Sequence, residues 1–149
     1  MDAPLGRDAQ AYTPCYCKEN AFFLARELVA CGASRAAVVF LTSPPPRRFP
    51  IFHQRAGHFV CWDYHVIVVT FDASPGHQAL VWDLDTTLPF PCPACDYVAR
   101  ALRPEELAGQ ADRRFRVVAA EEFLARFARR DGQRGAVDAS EGRRSGGTC

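Results

Sequence analysis

Apolar residues near the N-terminus recur at helical spacing. The pattern starts after Thr13-Pro14, a pair typical of an N-cap followed by proline at the first helical position, and Gly32 ends it. The apolar positions between them, three or four residues apart, are Cys17, Ala21, Leu24, Leu28 and Cys31. This spacing predicts a helix between Thr13 and Gly32 with one buried face.

Shorter apolar runs in the middle of the chain predict strands. Residues 36–41 indicate one strand, and residues 49–52 indicate a short edge strand. Residues 66–71 and 79–82 are rich in β-branched and aromatic side chains, and residues 72–76 between them have the composition of a turn. These two runs therefore predict an antiparallel hairpin.

The last third of the chain is less regular. Residues 88–93 include three prolines and cannot form a central strand, because proline lacks the donor for the strand ladder. We predict a short helix over residues 104–111, a strand over 115–118 and a helix over 120–129. Residues 130–149 are rich in Gly, Arg and Ser, which bury too little apolar surface to offset the entropy of ordering. We therefore predict a disordered tail there.

The length of 149 residues suits one folded domain. We place it at residues 13–129, after a flexible N-terminus over residues 1–12. The formal net charge of +1 gives no electrostatic reason to expect a nucleic-acid or membrane surface. No apolar run approaches membrane-spanning length, and the first residues lack the apolar centre of a signal peptide. We therefore expect an intracellular protein that binds neither nucleic acid nor membranes.

Cysteine is frequent in this chain. Seven cysteines, an odd number without secretory context, indicate reduced thiols or metal ligands rather than a disulfide framework. Cys92 and Cys95 have the CxxC spacing of a redox motif or a zinc knuckle, and Cys15 with Cys17 would supply two further thiolates. Against zinc, Cys92 lies in a proline-rich loop and no second CxxC follows. A zinc-binding module using Cys92 and Cys95 stays an alternative.

His65 lies in an apolar stretch that continues into the first strand of the hairpin. If the hairpin turns at residues 74–75, His65 lies opposite Asp83 or Leu84, with Cβ atoms roughly 4.5–5.5 Å apart in a direct pair. That distance suits a hydrogen bond between imidazole and carboxylate. A register shift of one residue would move one side chain to the other face. The alternatives are a hydrogen-bonded core histidine and an aspartate that only begins a turn.

The start of the first helix is the place to expect a nucleophile. The positive end of the helix dipole lowers the pKa of a thiol there, and both Cys15 and Cys17 qualify. Cys17 is preferred because it shares the helical phase of Ala21 and Leu24, which are expected to face the core. The alternative is that Cys17 is a small core residue.

These three residues would form a thiol hydrolase. In this hypothesis Cys17 attacks a carboxamide or ester carbonyl, and His65 accepts the thiol proton and returns it to the leaving group. Asp83 fixes the tautomer of the imidazole. The backbone N–H of Cys17 is the expected donor to the oxyanion.

Three motifs in this order carry a resemblance. They are Cys15-Tyr16-Cys17-Lys18-Glu19-Asn20, Trp62-Asp63-Tyr64-His65-Val66, and Asp83-Leu84-Asp85-Thr86 with Leu88-Pro89-Phe90-Pro91. With residues 113–117 they resemble the protein N-terminal glutamine amidohydrolase family, also known by its WDYHV motif. The resemblance covers about residues 12–127.

The resemblance implies a papain-like or transglutaminase-like α+β fold, in which the helix that carries the cysteine packs on an antiparallel sheet. It implies a triad of Cys17, His65 and Asp83 that hydrolyses the side-chain amide of an N-terminal glutamine to glutamate and releases ammonia. The activity feeds the Arg/N-degron pathway and needs no cofactor. We therefore expect peptides and proteins with a free N-terminal glutamine as partners. We also expect a monomer in the cytoplasm, with the nucleus as a second compartment.

The chain departs from the family after the region of Phe127. Members continue with a folded segment, whereas the Gly-, Arg- and Ser-rich residues here predict that the C-terminal part of the family fold is missing. Two rival functions are a papain-like peptidase or acyl transferase and a catalytically inactive isoform that acts only by binding. Selectivity for a free N-terminus needs an acceptor for the α-ammonium group, to which Asp63 or Asp85 could contribute.

Overall fold

The computed structural model describes residues 5–33, 35–109 and 112–134. It has an α+β fold, as predicted. The helices and strands, in chain order, are α1 (Cys17–Ala30), β1 (Arg35–Thr42), β2 (Phe49–Gln54), β3 (Gly57–Trp62), β4 (Tyr64–Phe71), β5 (Leu80–Trp82), β6 (Cys92–Pro93), α2 (Ala94–Tyr97), β7 (Arg114–Ala119) and α3 (Ala120–Arg134). A 3-10 turn, Arg7–Ala9, precedes α1, and a π-helical turn, Val98–Leu102, continues α2. None of the described helices is long and apolar enough to span a membrane.

Five strands form an antiparallel sheet in the order β6-β5-β4-β1-β7. The predicted hairpin is β4 with β5, and it is confirmed. Val68 lies opposite Trp82, so the pairing is shifted by one residue from the predicted register. Strands β2 and β3 form a separate two-stranded ribbon. The strand predicted over residues 49–52 is therefore one half of this ribbon.

Strands β1 and β4 lie at the centre of the sheet and are covered on both faces. On one face Val66 and Val68 belong to a core with buried residues of α1 and α3, such as Leu24 and Phe123. The alternate residues of β4 belong to a second core, whose larger members are Phe49, Trp62, Ile67, Val69, Tyr97 and Leu102. Each large apolar side chain so buried contributes roughly 1.5–3 kcal/mol relative to an exposed one. β4 is thus held on both sides.

Helix α1 begins three residues later than predicted, with Tyr16 rather than Thr13 at the N-cap. The prediction was wrong because the buried side chain of Asn20 competes for the backbone of Thr13. Its Oδ1 accepts from the Thr13 N–H, and its Nδ2 donates to the Thr13 carbonyl, both at 2.9 Å. Residues 13–16 therefore form a turn that precedes the helix, and Asn20 in the first helical turn holds it by hydrogen bonds. The predicted end is correct, since Gly32 has a left-handed φ of 81°.

The segment after β6 differs most from prediction. A helical stretch through α2 and the turn Val98–Leu102 was not predicted, and the residues from Pro104 to Gly109, predicted as helix, form turns. Tyr97 and Leu102 explain the difference, because the core that buries them fixes this stretch. Sequence spacing alone does not show such a tertiary contact.

Described elements extend on both sides of residues 13–129, the predicted domain. The order of the chain begins before Thr13, with the turn Arg7–Ala9, and the Arg7 guanidinium donates a hydrogen bond to the Leu88 carbonyl. Helix α3 continues to Arg134, beyond the boundary predicted at residue 129. The rest of the predicted tail, residues 135–149, lies outside the described residues.

Candidate active site

Cys17 is the first residue of helix α1 and is buried. The first-turn backbone N–H groups have no carbonyl partner within the helix, so they and the helix dipole favour negative charge at this point. The turn held by Asn20 fixes where the helix starts. Cys15 lies in that turn with a φ of 66°, so it is outside the helix. Of the two candidate nucleophiles, Cys17 is therefore the one at the start of the helix.

His65 lies near the start of β4 and is fully buried. Its Nε2 is 2.9 Å from Oδ1 of Asp83. The ring stacks on Trp62, with centroids 4.9 Å apart and an angle of 21° between the planes. Because the stacking and the hydrogen bond act on the same ring, the orientation of the imidazole is determined by two neighbours.

Asp83 is the first residue after β5 and is buried. Its Oδ1 also accepts a hydrogen bond from the backbone N–H of Asp85 at 2.9 Å, the geometry of an Asx-turn. Asp83 therefore both begins a turn and contacts His65. The turn interpretation and the hydrogen-bonding interpretation of this residue both apply. The observed register brings the two residues to the same face as diagonal rather than direct neighbours.

The environment favours the charged form of both partners. Burial lowers the pKa of His65, but the charge and hydrogen bond of Asp83, with the Cys17 thiol, outweigh it and raise that pKa well above its ordinary value. Burial also acts against ionisation of Asp83, yet the His65 charge and the hydrogen bonds from His65, Tyr97 and Asp85 hold its pKa below the ordinary value. The surroundings therefore favour an imidazolium beside a carboxylate over a neutral pair.

Nδ1, the second ring nitrogen of His65, is the one that can interact with the Cys17 thiol. Nδ1 is buried and makes no hydrogen bond to a nitrogen or oxygen of any described residue. The Cys17 thiol lies close enough to the imidazole to help raise the pKa of His65. With Nε2 on Asp83, Nδ1 is the atom available to exchange a proton with Cys17. The structure thus brings the three predicted residues together in the arrangement of a nucleophile, a base and an orienting acid.

Asp85 borders the same site. It is buried, it accepts a hydrogen bond from the Tyr12 hydroxyl at 2.7 Å, and it lines a small cavity together with Cys17. Burial raises the pKa of Asp85, and the charge of Asp83 adds to this increase. Asp63, the other acid that could contribute to binding an α-ammonium group or could equally be a surface acid, is exposed between β3 and β4. Of the two, Asp85 is the acid next to the candidate nucleophile.

A metal site needs several donor atoms close together. The one group of three or more suitable donors among them is His65, Asp83 and Asp85, within 4.8 Å of one another. Their hydrogen bonds are those of an imidazole and its orienting acid. Cys92 is buried and Cys95 exposed, and among the described residues no third donor joins them. The zinc alternative therefore has no set of ligands in this part of the chain.

Two residues of the site were not predicted. Tyr97 of α2 donates to Oδ2 of Asp83 at 2.8 Å, and Gln54 of β2 donates to the same atom at 3.3 Å. Both come from segments that the sequence did not place near the hairpin. A buried tyrosine needs a partner for its hydroxyl, which is a weak signal without the fold.

Comparison with known proteins identifies the family to which the chain is similar. The sequence model of the N-terminal glutamine amidase family matches residues 12–139. The chain is 41% identical over 135 residues to the protein N-terminal glutamine amidohydrolase of Oryza sativa subsp. indica, covering 83% of this chain and 58% of the relative. The proteins of the same name from Arabidopsis thaliana and Homo sapiens are 39% and 36% identical, each covering 62% of the relative and 84% and 82% of this chain.

The match has a defined extent. The chain spans about three fifths of the length of the curated relatives it matches. The matched part includes Cys17, His65 and Asp83 and every element that contacts them. By the extent of the match and its identity to several relatives, this chain belongs to the N-terminal glutamine amidase family.

Proposed function

We propose that this chain hydrolyses the side-chain amide of an N-terminal glutamine to glutamate and releases ammonia. The observation that carries the proposal is the buried His65–Asp83 pair beside Cys17 at a helix start. The names of the relatives give the substrate. The product is a glutamate at the N-terminus, which would feed the Arg/N-degron pathway.

The arrangement supports a two-step thiol mechanism. The Cys17 thiolate attacks the amide carbon, and the oxyanion that forms is stabilised by the backbone N–H of Cys17. His65 donates its proton to the amide nitrogen, so that the C–N bond breaks and ammonia leaves behind a thioester. Water then attacks the thioester as His65 accepts its proton. The C–S bond then breaks, which releases glutamate and returns Cys17 as a thiolate beside protonated His65.

We further propose that the fold is of the papain-like or transglutaminase-like kind. Three features support this: the cysteine opens a helix, that helix packs on an antiparallel sheet, and the histidine and acid lie on adjacent parts of the sheet. His65 is on β4, and Asp83 follows β5, the strand next to it. The three roles thus fall on helix α1, on strand β4 and on the residue that follows strand β5.

Selectivity for a free N-terminus is proposed to depend on Asp85. Its carboxylate is buried and borders the cavity at Cys17, and the Tyr12 hydroxyl holds one of its oxygens. An α-ammonium group would supply the positive charge that a buried carboxylate needs. An acetylated N-terminus has no such charge and should bind poorly.

Ammonia release tests this proposal. A peptide that begins with glutamine should release ammonia with the parent protein and not with Cys17→Ala, and the same peptide acetylated at its N-terminus should release none. Cys61→Ala, which removes an exposed free thiol, is the matched control and should keep the parent rate. No release from folded parent protein would contradict the proposal, and cleavage of the peptide bond would assign a peptidase instead.

A further inference from the structure

The carboxylate oxygen of Asp83 that does not contact His65 accepts hydrogen bonds from two other residues. While Oδ1 contacts His65, Oδ2 accepts hydrogen bonds from the Tyr97 hydroxyl at 2.8 Å and from Gln54 Nε2 at 3.3 Å. Both donors are buried, with 1% and 2% of their surface exposed. They reach Asp83 from α2 and from β2, two elements outside the hairpin that carries the pair.

Gln54 also connects Asp83 to the ring on which His65 stacks. The amide oxygen of Gln54 accepts a hydrogen bond from Trp62 Nε1 at 3.2 Å, and Trp62 stacks on the imidazole. The contacts therefore close a loop that runs from His65 through Asp83, Gln54 and Trp62 back to His65. All four residues are buried. A rotation of the Asp83 carboxylate would break several of these contacts at once.

We propose that Tyr97 and Gln54 are positioning residues: they fix the Asp83 carboxylate so that its Oδ1 stays on His65 Nε2 and the imidazole stays oriented beside Cys17. This rests on the thiol mechanism of the proposed function. Neither residue lines the cavity at Cys17, so neither is assigned a contact with substrate.

The reason is the cost of a buried carboxylate. An ionised carboxyl group out of water is unfavourable unless hydrogen bonds replace its hydration, and bonds to charged groups are the stronger ones. Burial and the negative charge of Asp83 raise the pKa of Tyr97 well above its ordinary value, so Tyr97 stays a neutral donor. The titratable or charged groups around the His65–Asp83 pair are Cys17, Asp85, Tyr97, Tyr12 and Arg7.

Removing one donor should change how the alkylation of Cys17 depends on pH. In Tyr97→Phe the ring stays and the hydroxyl is lost, so the pKa of Asp83 should rise and the pKa of His65 should fall. A less basic His65 stabilises the thiolate less. The acid limb of the pH profile for Cys17 should therefore move to higher pH by about one unit, the effect of losing one hydrogen bond to a charged acceptor.

The experiment is alkylation of Cys17 by iodoacetamide as a function of pH, followed by peptide mapping, because the chain has other free thiols. Gln54→Met, of similar length without polar atoms, should shift the limb in the same direction by less, because its contact is longer. It also serves if Tyr97→Phe does not fold. Leu102→Ala is the control, because Leu102 belongs to the same core and its side chain cannot form a hydrogen bond with Asp83. This variant should lower Tm and leave the pH profile of alkylation unchanged.

Several outcomes separate the possibilities. A shifted acid limb in folded Tyr97→Phe or Gln54→Met, with kcat reduced about tenfold and KM unchanged, supports positioning. Unshifted profiles in both variants, with only a lower Tm, would overturn it and leave a structural role. Because alkylation needs no substrate, a parent protein that titrates as predicted but releases no ammonia would refute the proposed function alone.

Discussion

Among the described residues, the region around β5 and the edge of the sheet at β7 differ in how well other parts of the chain cover them. On the β5 side, His65 and Asp83 are buried, hydrogen-bonded and covered by Trp62 and Tyr97. On the other side, β7 is the last strand, no described strand pairs with its outer edge, and Phe115 and Val117 are 51% and 63% exposed. The His65–Asp83 pair is therefore enclosed by described residues, whereas the described edge at β7 is exposed.

A groove beside β7 adds to this contrast. It is lined by aromatic and basic side chains, among them Lys18, Phe40, Arg116, Phe123, Arg126 and Phe127. Exposed apolar strand edges favour association with other chains. Substitutions that reduce activity and substitutions that reduce solubility should therefore lie in different parts of the molecule.

The largest effect is expected at Asp83. Asp83→Asn keeps the shape but replaces the acceptor that fixes the His65 tautomer, so ammonia release should fall by about 10³–10⁴-fold. Asp72→Asn, which changes an exposed acid in the turn of the hairpin, should leave the rate unchanged. Steady-state rates for the two variants decide this, and an active Asp83→Asn would remove Asp83 from the mechanism.

The same pair should give stability a specific pH dependence. The raised pKa of His65 contributes stability fully below its unfolded value of 6.5, and this is lost as the pH rises through the folded pKa. The lowered pKa of Asp83 contributes stability above 3.8, and this is lost as the pH falls through the folded pKa. The contribution is thus largest between 3.8 and 6.5.

This dependence can be measured as a difference in the free energy of unfolding between the parent protein and the neutral double variant His65→Gln, Asp83→Asn. The difference should be greatest inside that pH range and should decrease on both sides. A difference that does not change with pH would mean that the two side chains are not a charged pair.

A smaller effect is expected at Asn20, which holds the turn before Cys17. Asn20→Ala removes two hydrogen bonds to Thr13 and should destabilise the protein by about 1–3 kcal/mol. Activity should also fall, because the start of α1 carries the nucleophile. Asn20→Asp keeps the acceptor for the Thr13 N–H and should lie between parent and Asn20→Ala in denaturant unfolding. Equal stability in all three would show that the turn does not depend on this side chain.

The smallest effect on activity is expected at the β7 edge. Val117→Lys places a charge on the exposed face of the edge strand and should reduce concentration-dependent association, while ammonia release stays within about twofold. Val118, the next residue, is buried, so Val118→Lys should lower Tm sharply. Light scattering and melting curves measure the two. A strong loss of activity in Val117→Lys would contradict the separation between the edge and the site.

Much of this organisation follows from local sequence. Helical spacing predicted α1, and two runs rich in β-branched and aromatic residues around a turn predicted the β4–β5 hairpin. Together they indicated that Cys17 faces the sheet that carries His65 and Asp83. These elements are predictable because their apolar patterns match their own periods. The register differed by one residue because the turn over residues 72–76 is not a two-residue turn with fixed geometry.

What escaped prediction depends on contacts between distant segments. The start of α1 is decided by Asn20, whose side chain returns to Thr13. Gln54 and Tyr97 meet at Asp83 from separate elements, 29 residues before it and 14 residues after it. No periodicity in the sequence relates such positions, since only the packed core brings them together.

Trapping of a covalent intermediate tests the central claim most directly. After a peptide with N-terminal glutamine is mixed with the protein and quenched in acid, mass spectrometry should find the peptide, less ammonia, attached to Cys17 as a thioester. The acetylated peptide should give no adduct. An adduct on another cysteine, or full ammonia release from Cys17→Ala, would contradict the assignment of Cys17, His65 and Asp83 as one catalytic unit.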